Sequence, residues 1–310
     1  MATPTLKTLP LYAEQIGMET SKPLLESFFF ACRLKNCAPK TMAVYGERLS
    51  YLMRFAKARL KSLGELTETD LKAYVAQILD EVCVVTVNGR IQVYKVFYRH
   101  LHTEGFIDAD PMTAIRKLKQ PTIIKDVITP EQLERVLAQI NRKYFCGMRN
   151  FALILLTFDA MLRVGEALSI RVIDLDLQSG LIKVYGKGRK ERFVAFSPAT
   201  AKILHAYIAR FRVKIPGDLL FCTREGNRIA YRQTHRIFSR PAMKIGLRLH
   251  PHLARHSGAT QFARSGGSLA VLQRALGHST LAVTERYIHL GDQDIRDAYL
   301  KYAPAANIRV

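Results

Sequence analysis

A basic stretch that lacks helical periodicity interrupts the chain between Lys117 and Pro130. Pro121 and Pro130 punctuate it, and proline disfavours the continuation of a helix. Such a stretch is typical of a linker, and the 310 residues are enough for about two domains. The sequence therefore predicts an N-terminal extension over residues 1–21, a first domain over 22–118, a linker over 119–129, a second domain over 130–291 and a C-terminal tail over 292–310.

The first domain has the periodicity of α-helices. Apolar residues recur three and four positions apart, as at Leu24, Leu25 and Phe28, whereas the alternation of a β-strand is almost absent. This pattern predicts about four helices in roughly 100 residues. The pair Asn88-Gly89 favours turns and indicates a break between two of the later helices.

The second domain combines helices with a β-hairpin. We predict a long helix from about Arg149 to Leu168. Over 181–185, Leu181, Lys183 and Tyr185 alternate with the β-branched Ile182 and Val184, and a glycine-containing turn at 186–190 leads to a returning strand over 192–196. From Pro198 onward the pattern is helical again. The expected fold class is therefore mainly α with a small antiparallel β-sheet, an α+β protein.

The chain is strongly basic, since 47 Lys and Arg residues oppose 26 Asp and Glu residues and give a formal net charge of +21. Residues 1–119 hold 17 basic and 12 acidic side chains, a net charge of +5, which leaves +16 for the remainder. Such an excess favours a polyanionic partner, most often nucleic acid. No apolar stretch approaches the roughly 20 residues of a transmembrane helix, and no secretory signal is recognisable. We expect a cytoplasmic protein with no membrane partner.

Two segments carry charged residues at positions where the pattern of a buried core would not place them. Arg163 and Glu166 follow a nearly unbroken apolar run, and residues three apart on a helix share a face, so an intrahelical salt bridge is one interpretation. The hairpin turn reads Gly186-Lys187-Gly188-Arg189-Lys190. Its glycines permit another molecule to approach the backbone closely, although a solvated turn is the alternative.

Two further segments carry histidines. His252 and Arg255 are three residues apart and project together if the segment is helical, with His256 one turn from His252. Carboxylates and thiols are missing nearby, so we predict no metal site. Further on, Leu276-Gly277-His278-Ser279 indicates a helix that ends at glycine, and Tyr287 lies on the next helical pattern, where packing is its alternative role.

In this order the residues resemble the tyrosine recombinase (phage integrase) family, in particular its bacterial Xer-like branch. The family signature of Arg, Lys, His-x-x-Arg, Leu-Gly-His and a nucleophilic Tyr corresponds here to Arg163, Lys187, His252 with Arg255, His278 and Tyr287. The spacings agree, since Lys187 lies 24 residues after Arg163 and Tyr287 lies 9 residues after His278. One departure is Ala254, where the family usually has leucine.

The resemblance implies a fold and a reaction. The fold is a helical core-binding (SAM-like) domain followed by a catalytic domain, together forming a clamp around DNA. The reaction is site-specific cleavage and rejoining of DNA through a covalent 3′-phosphotyrosine and a Holliday junction, for integration, excision or resolution, without a metal, ATP or another cofactor. Arg163 and Arg255 bind the scissile phosphate, Tyr287 attacks it, and Lys187 protonates the leaving 5′-oxygen.

The remaining polar residues take supporting roles in this resemblance. His252 acts as a base or proton shuttle and His278 donates a hydrogen bond to the phosphate, and the two assignments can be exchanged. Glu166 and His256 hold these groups in position through hydrogen bonds. The residues that we expect to contact backbone phosphates are Arg189, Lys190 and Arg192.

The resemblance also implies partners. These are double-stranded DNA with short inverted-repeat core sites and three further protomers, in a homotetramer or in a heterotetramer with a paralogous recombinase. The tail over 292–310 is the segment expected to pass between neighbours. Because the helical pattern begins by about residue 22, no separate arm-binding domain is expected, and the site of action is the prokaryotic nucleoid.

Two classes of alternative remain at this stage. A type IB topoisomerase would share the chemistry but nick and reseal DNA as a single protomer. A catalytically silent DNA-binding regulator, or a protein that merely coats nucleic acid, would explain the charge without any chemistry. The target sequence and the biological role, from chromosome dimer resolution to transposon or phage movement, are left open.

Overall fold

The computed structural model of the protein describes residues 18–120, 126–185 and 191–277. The chain divides into two compact units, Met1–Ile123 and Ile124–Val310. Within the described ranges it is mainly α-helical with one three-stranded antiparallel sheet, which confirms the predicted α+β class. None of the helices in these ranges combines the length and the apolar character that crossing a membrane would require.

The first unit is helical, as predicted. Its described part contains α1 (Lys22–Leu34), α2 (Pro39–Ala58), α3 (Glu68–Glu81) and α4 (Val84–Thr103). Apolar side chains at helical spacing bury one face of each helix, and the largest fully buried ones include Phe28, Leu49, Leu52, Tyr94 and Phe97. Thr67 caps α3 by accepting a hydrogen bond from the backbone N–H of Asp70, an interaction that commonly marks the start of a helix.

The predicted break at Asn88-Gly89 is wrong, because α4 continues through both residues. The Asn88 side chain instead binds the backbone of Leu118, donating to its carbonyl at 2.9 Å and accepting from its N–H at 2.8 Å. Gly89 leaves room for Arg48, whose guanidinium donates to the Gly89 carbonyl; an added Cβ would lie 2.9 Å from the Arg48 nitrogens. Asn88 and Gly89 therefore make tertiary contacts from within the helix and do not form a turn.

The second unit surrounds the apolar helix α6 (Phe145–Asp159). Its other described elements are α5 (Pro130–Ala138), α7 (Val164–Ala167), β1 (Leu175–Asp176), β2 (Leu181–Tyr185), β3 (Glu191–Ala195), α8 (Pro198–Arg210), α9 (Tyr231–Met243), α10 (Pro251–Arg264) and α11 (Leu269–Leu276). The sheet order is β1-β2-β3, and β2 pairs with β3 in the register Ile182↔Val194. The predicted hairpin strands are confirmed, whereas β1 was not predicted.

The predicted helix over 149–168 is wrong in its second half. Helix α6 ends at Asp159, Met161 adopts a left-handed φ of 51°, and Arg163 is extended as the N-cap of α7. Met161, Leu162 and Val164 are nevertheless buried. Their apolar pattern is therefore the same as that of a continued helix, which explains the wrong prediction. The bend places Arg163 at the start of a helix instead of within one.

Helix α10 packs closely on the end of α6. A Cβ at Gly258 would lie only 1.9 Å from the Phe158 carbonyl oxygen, so glycine is needed for the two backbones to approach. This contact holds α10, which carries His252 and Arg255, beside the bend at Met161.

Candidate active site

A buried carboxylate, Glu166, is the centre of the candidate site. It is the third residue of α7, and its Oε2 accepts the backbone N–H of Arg163 at 2.9 Å. The Arg163 guanidinium donates through Nη1 to Oε1 at 3.0 Å. The Glu166 side chain is 7% exposed and that of Arg163 is 46% exposed. The predicted Arg163–Glu166 salt bridge therefore forms across the start of a helix, and its cation remains accessible.

Arg192, from β3, binds the same carboxylate with both ends of its guanidinium. Nη1 donates to Oε1 at 3.0 Å and Nη2 donates to Oε2 at 2.9 Å, a bidentate geometry that is among the stronger ion pairs. The side chain is only 12% exposed. Its partner in the structure is Glu166, and the expected contact of Arg192 with a DNA phosphate stays a prediction.

Arg255, from α10, completes the cluster. Its side chain is 4% exposed, and Nη1 lies 3.7 Å from Glu166 Oε2. Nη1 also donates to the Met161 carbonyl at 2.7 Å, and Nη2 donates to the Leu276 carbonyl at 2.9 Å. Arg255 thus links the bend after α6 to the end of α11. The neighbouring Ala254 is fully buried.

The electrostatics keep Glu166 ionised. Burial by itself raises the pKa of this carboxyl, but hydrogen bonds from Arg192 and Arg163 and the positive charge of Arg192 outweigh burial and lower it below the ordinary value of 4.5. Three arginines and one carboxylate leave the cluster two net positive charges. Such an arrangement attracts an anion with more than one negatively charged oxygen, such as a phosphate diester in reaction.

The histidines lie on and beside α10. His252 is exposed and His256 is half-buried, and both are in the predicted helix with Arg255. His250 caps this helix, because its Nδ1 accepts the backbone N–H of Leu253 at 3.1 Å. The rings of His250 and His252 are nearly parallel, with centroids 6.5 Å apart. The supporting role of His256 stays a prediction.

Several predicted site residues lie outside the described residues. These are Lys187, Arg189, Lys190, His278 and Tyr287. Their described neighbours are Tyr185 and Glu191 at the ends of the two hairpin strands, and Gly277 at the end of α11. The roles of these five residues therefore stay predictions.

Sequence reasoning missed the exposed face of α9. This helix has Tyr231, Arg232, His235 and Arg236 exposed and contains no acidic residue. The ring of His235 lies 5.6 Å from Tyr231 and 6.4 Å from His250 between centroids, which extends the line of rings from His252. Basic residues at helical spacing without a balancing acid were the available signal.

No group of three or more His, Cys, Asp or Glu side chains is arranged to hold a metal ion in the parts of the chain that the structure describes. The rings of His235, His250 and His252 stack in a row, with centroids 6.4 Å and 6.5 Å apart.

Comparisons with known proteins find relatives that match this chain over most of its length. Tyrosine recombinase XerC of Oceanobacillus iheyensis is 28% identical over 283 residues, which cover 88% of this chain and 93% of the relative. Tyrosine recombinase XerD of Ralstonia nicotianae is 28% identical over 306 residues, covering 96% and 97%. A crystal structure of the XerH site-specific recombinase, bound to its palindromic difH substrate in a post-cleavage complex, matches with a TM-score of 0.74 and 20% identity, covering 96% of this chain and 97% of that one.

Family-level matches cover both parts of the chain. Residues 24–106 match the phage integrase N-terminal SAM-like domain. Residues 126–294, more than half of the chain, match the phage integrase family. This protein therefore belongs to the phage integrase family of tyrosine recombinases.

Proposed function

We propose that this protein is a site-specific recombinase that cleaves and rejoins double-stranded DNA through a covalent 3′-phosphotyrosine at Tyr287 and a Holliday junction. The observation that carries the proposal is the cluster in which Arg163, Arg192 and Arg255 converge on the buried carboxylate of Glu166. Family membership and the similarity to proteins named tyrosine recombinase XerC and XerD support it.

The cluster is suited to stabilising a phosphoryl-transfer transition state. Attack on a phosphodiester places additional negative charge on nonbridging oxygens that already carry one charge. Arg163 offers an accessible guanidinium, and Arg255 contributes its charge from a buried position, where electrostatic interactions are stronger than in water. Because Glu166 fixes these cations before DNA arrives, little reorganisation is needed when the charge develops.

The chemical step conserves the number of phosphodiester bonds. The phenolic oxygen of Tyr287 attacks the scissile phosphorus, the bond from phosphorus to the 5′-oxygen breaks, and Lys187 gives its proton to that leaving oxygen. His252 accepts the phenolic proton and His278 donates a hydrogen bond to the phosphate, or the two exchange these roles. Rejoining reverses the step with a 5′-hydroxyl from the partner strand, so no ATP and no metal ion is required.

The proposed assembly follows from the number of strands exchanged. Four strand cleavages require four protomers, so we propose a homotetramer, or a heterotetramer with a paralogous recombinase, on short inverted-repeat sites. In this assignment residues 22–118 bind the core site, 119–129 connect the domains, 130–291 catalyse, and 292–310 pass to a neighbour. Arg189, Lys190 and the basic exposed face of α9 are the proposed DNA contacts. The substrate DNA is chromosomal or belongs to a mobile element. The protein acts on it in the cytoplasm, at the nucleoid.

The test uses supercoiled plasmid DNA that carries two copies of the sequence flanking the gene for this protein. The purified protein is incubated with it in EDTA without ATP and quenched with SDS. A recombinase yields protein-linked DNA and two smaller circles. Relaxation without smaller circles would favour a topoisomerase-like enzyme, and salt-sensitive binding without protein-linked DNA would favour a silent regulator.

The matched pair of variants is Tyr287→Phe and Tyr144→Phe. Each change removes one phenolic oxygen, and Tyr144 is an exposed tyrosine of the second unit outside the candidate site. We expect protein-linked DNA to disappear with Tyr287→Phe and to persist at the wild-type level with Tyr144→Phe.

A further inference from the structure

We infer that Arg192 is a positioning residue that fastens the end of α11 to Glu166 and so fixes the point from which the chain continues to His278 and Tyr287. This inference rests on the proposed function, because it concerns the delivery of the proposed nucleophile. It assigns to Arg192 a role in the cleavage rate and not in DNA binding.

The first observation is that protein groups occupy both edges of the Arg192 guanidinium. The end that carries the two Nη atoms faces Glu166, with hydrogen bonds of 3.0 Å and 2.9 Å. On the other edge, Nε donates to the Ala275 carbonyl at 3.1 Å. A guanidinium held at both edges is rigid, and it joins β3, α7 and the last turn of α11 through one side chain.

The second observation is that Arg255 holds the adjacent carbonyl. Its Nη2 donates to the oxygen of Leu276 at 2.9 Å, while its Nη1 lies 3.7 Å from the same Glu166 carboxylate. The last carbonyls of a helix lack partners within that helix and carry partial negative charge, so cations are favoured there. Two arginines that share one carboxylate therefore hold two consecutive carbonyls of α11.

The third observation concerns Gly277, which ends α11 in the left-handed conformation with φ of 62°. A Cβ at this position would lie 3.2 Å from Cζ and 3.3 Å from Nε of Arg192. Glycine is therefore favoured here for two reasons: its backbone conformation is left-handed, and the guanidinium packs closely against it. His278 is the next residue in the chain, and Tyr287 follows ten residues after Gly277.

The catalytic consequence is geometric. An attacking oxygen must lie in line with the leaving oxygen, and a misplacement of about 1 Å can cost about 100-fold in rate. A clamp on Ala275 and Leu276 limits where the following segment begins, and the carboxylate that anchors this clamp also binds Arg163. Removal of the clamp is expected to slow cleavage while leaving the phosphate-binding residues in the protein.

The experiment compares Arg192→Met with Arg212→Met in the full chain. Arg212 is a matched control, since it is also buried and donates to three backbone carbonyls, those of Leu219, Ile215 and Gly217, away from the Glu166 cluster. The substrate is a nicked duplex of the sequence that the wild-type protein cleaves, on which protein-linked DNA accumulates. The cleavage rate, the Kd for intact duplex and its salt dependence are measured at a temperature where each variant is folded by circular dichroism.

For Arg192→Met we expect a cleavage rate about 100-fold below wild type, with only a small change in the Kd and in its salt dependence, because Arg192 would make no direct phosphate contact. Arg192→Lys should lie between the two, because one ammonium cannot span both acceptors, and added methylguanidinium should restore part of the rate of Arg192→Met. Arg212→Met should cleave at the wild-type rate. If Arg192→Met is unfolded, the test uses Arg192→Lys and Gly277→Ala. Gly277→Ala disturbs the same contact because the added Cβ would press on the Arg192 guanidinium.

Several outcomes would overturn the inference. A folded Arg192→Met that cleaves at the wild-type rate would remove the clamp from the mechanism. A weaker Kd with a salt slope smaller by about 1 would mean that Arg192 contacts a phosphate directly. An equal loss of rate in Arg212→Met would indicate general destabilisation. Absence of any Tyr287-dependent cleavage by the wild-type protein would overturn the proposed function itself.

Discussion

Glu166 binds both the backbone and the side chain of Arg163: Oε2 accepts the N–H at 2.9 Å, and Oε1 accepts the guanidinium at 3.0 Å. One carboxylate thus caps α7 and orients the exposed cation of the candidate site. This dual contact is available only because the chain bends at Met161, which brings Arg163 to the N-cap position. Local backbone geometry and the proposed chemistry therefore depend on the same residue.

Replacing Glu166 by Gln should impair both catalysis and stability. The amide keeps the shape of the side chain but leaves three arginines without their shared anion. Removing one partner from a buried ion pair typically costs about 3 kcal/mol. We expect the free energy of unfolding to fall by about this amount and the cleavage rate to fall by about 100-fold, measured by urea titration and by accumulation of protein-linked DNA.

Glu225→Gln is the matched control for this change. Glu225 is an exposed carboxylate of the same unit, beside the turn at Gly226. We expect its replacement to leave both the stability and the cleavage rate close to those of the wild type. Equal behaviour of the two variants would mean that the Glu166 cluster has no special role.

The lowered pKa of Glu166 predicts an acid-dependent loss of stability. Its pKa in the folded protein lies below the ordinary value of 4.5, so the ionised form is favoured by folding. The stabilisation is fully present above pH 4.5 and is lost as the pH falls through the folded pKa. The difference in unfolding free energy between wild type and Glu166→Gln should therefore be constant from pH 7 to about 5 and shrink below 4.5. A difference that grows on acidification would contradict this.

The lowered pKa of Asp70 predicts a similar acid-dependent loss of stability in the first unit. Hydrogen bonds from the Lys61 ammonium and from Thr67 lower the pKa of its carboxyl from 3.8 to about 2. Its stabilisation is complete above pH 3.8 and is lost between 3.8 and about 2. Asp70→Asn should destabilise α3 by about 1 kcal/mol at pH 7, measured by hydrogen exchange of α3 amides in the full chain.

The control for Asp70→Asn is Asp80→Asn, an exposed carboxylate near the other end of α3. A negative charge is unfavourable near a helix C-terminus, so this change should leave α3 equally stable or slightly more stable. Equal destabilisation by both variants would show that the capping contacts at Thr67 contribute nothing.

Much of the fold could be predicted from local signals. The alternation of Ile182 and Val184 with their neighbours, followed by a glycine-containing turn, identified the hairpin. Leu276-Gly277 identified a helix end, because glycine readily adopts the left-handed conformation that ends many helices. The bend at Met161 could not be predicted, because the residues beside it are apolar. They are apolar since they are buried in the folded protein, and the same pattern is expected of a continued helix. Arg192 sits beside the basic hairpin turn in the sequence, and only the three-dimensional structure brings it to Glu166, 26 residues away.

Two glycines of the second unit should respond oppositely to alanine. At Gly258 an added Cβ would lie 1.9 Å from the Phe158 carbonyl oxygen, which belongs to backbone that cannot move aside. We expect Gly258→Ala to destabilise the protein by about 3 kcal/mol or more. At Gly165 an added Cβ meets nothing within 4 Å, and alanine in a helix is favoured by up to about 1 kcal/mol. Urea titration of both variants distinguishes them, and a Gly258→Ala protein as stable as wild type would refute the close packing of α10 on α6.

The identity of the residue that becomes linked to DNA tests the central claim most directly. Protein-linked DNA is purified, digested with nuclease and trypsin, and analysed by tandem mass spectrometry for a peptide that carries a residual nucleotide. We predict a 3′-phosphonucleotide on the phenolic oxygen of Tyr287, in the tryptic peptide that covers residues 287–296. A nucleotide linked to another residue, or undiminished cleavage by Tyr287→Phe, would contradict the proposed mechanism.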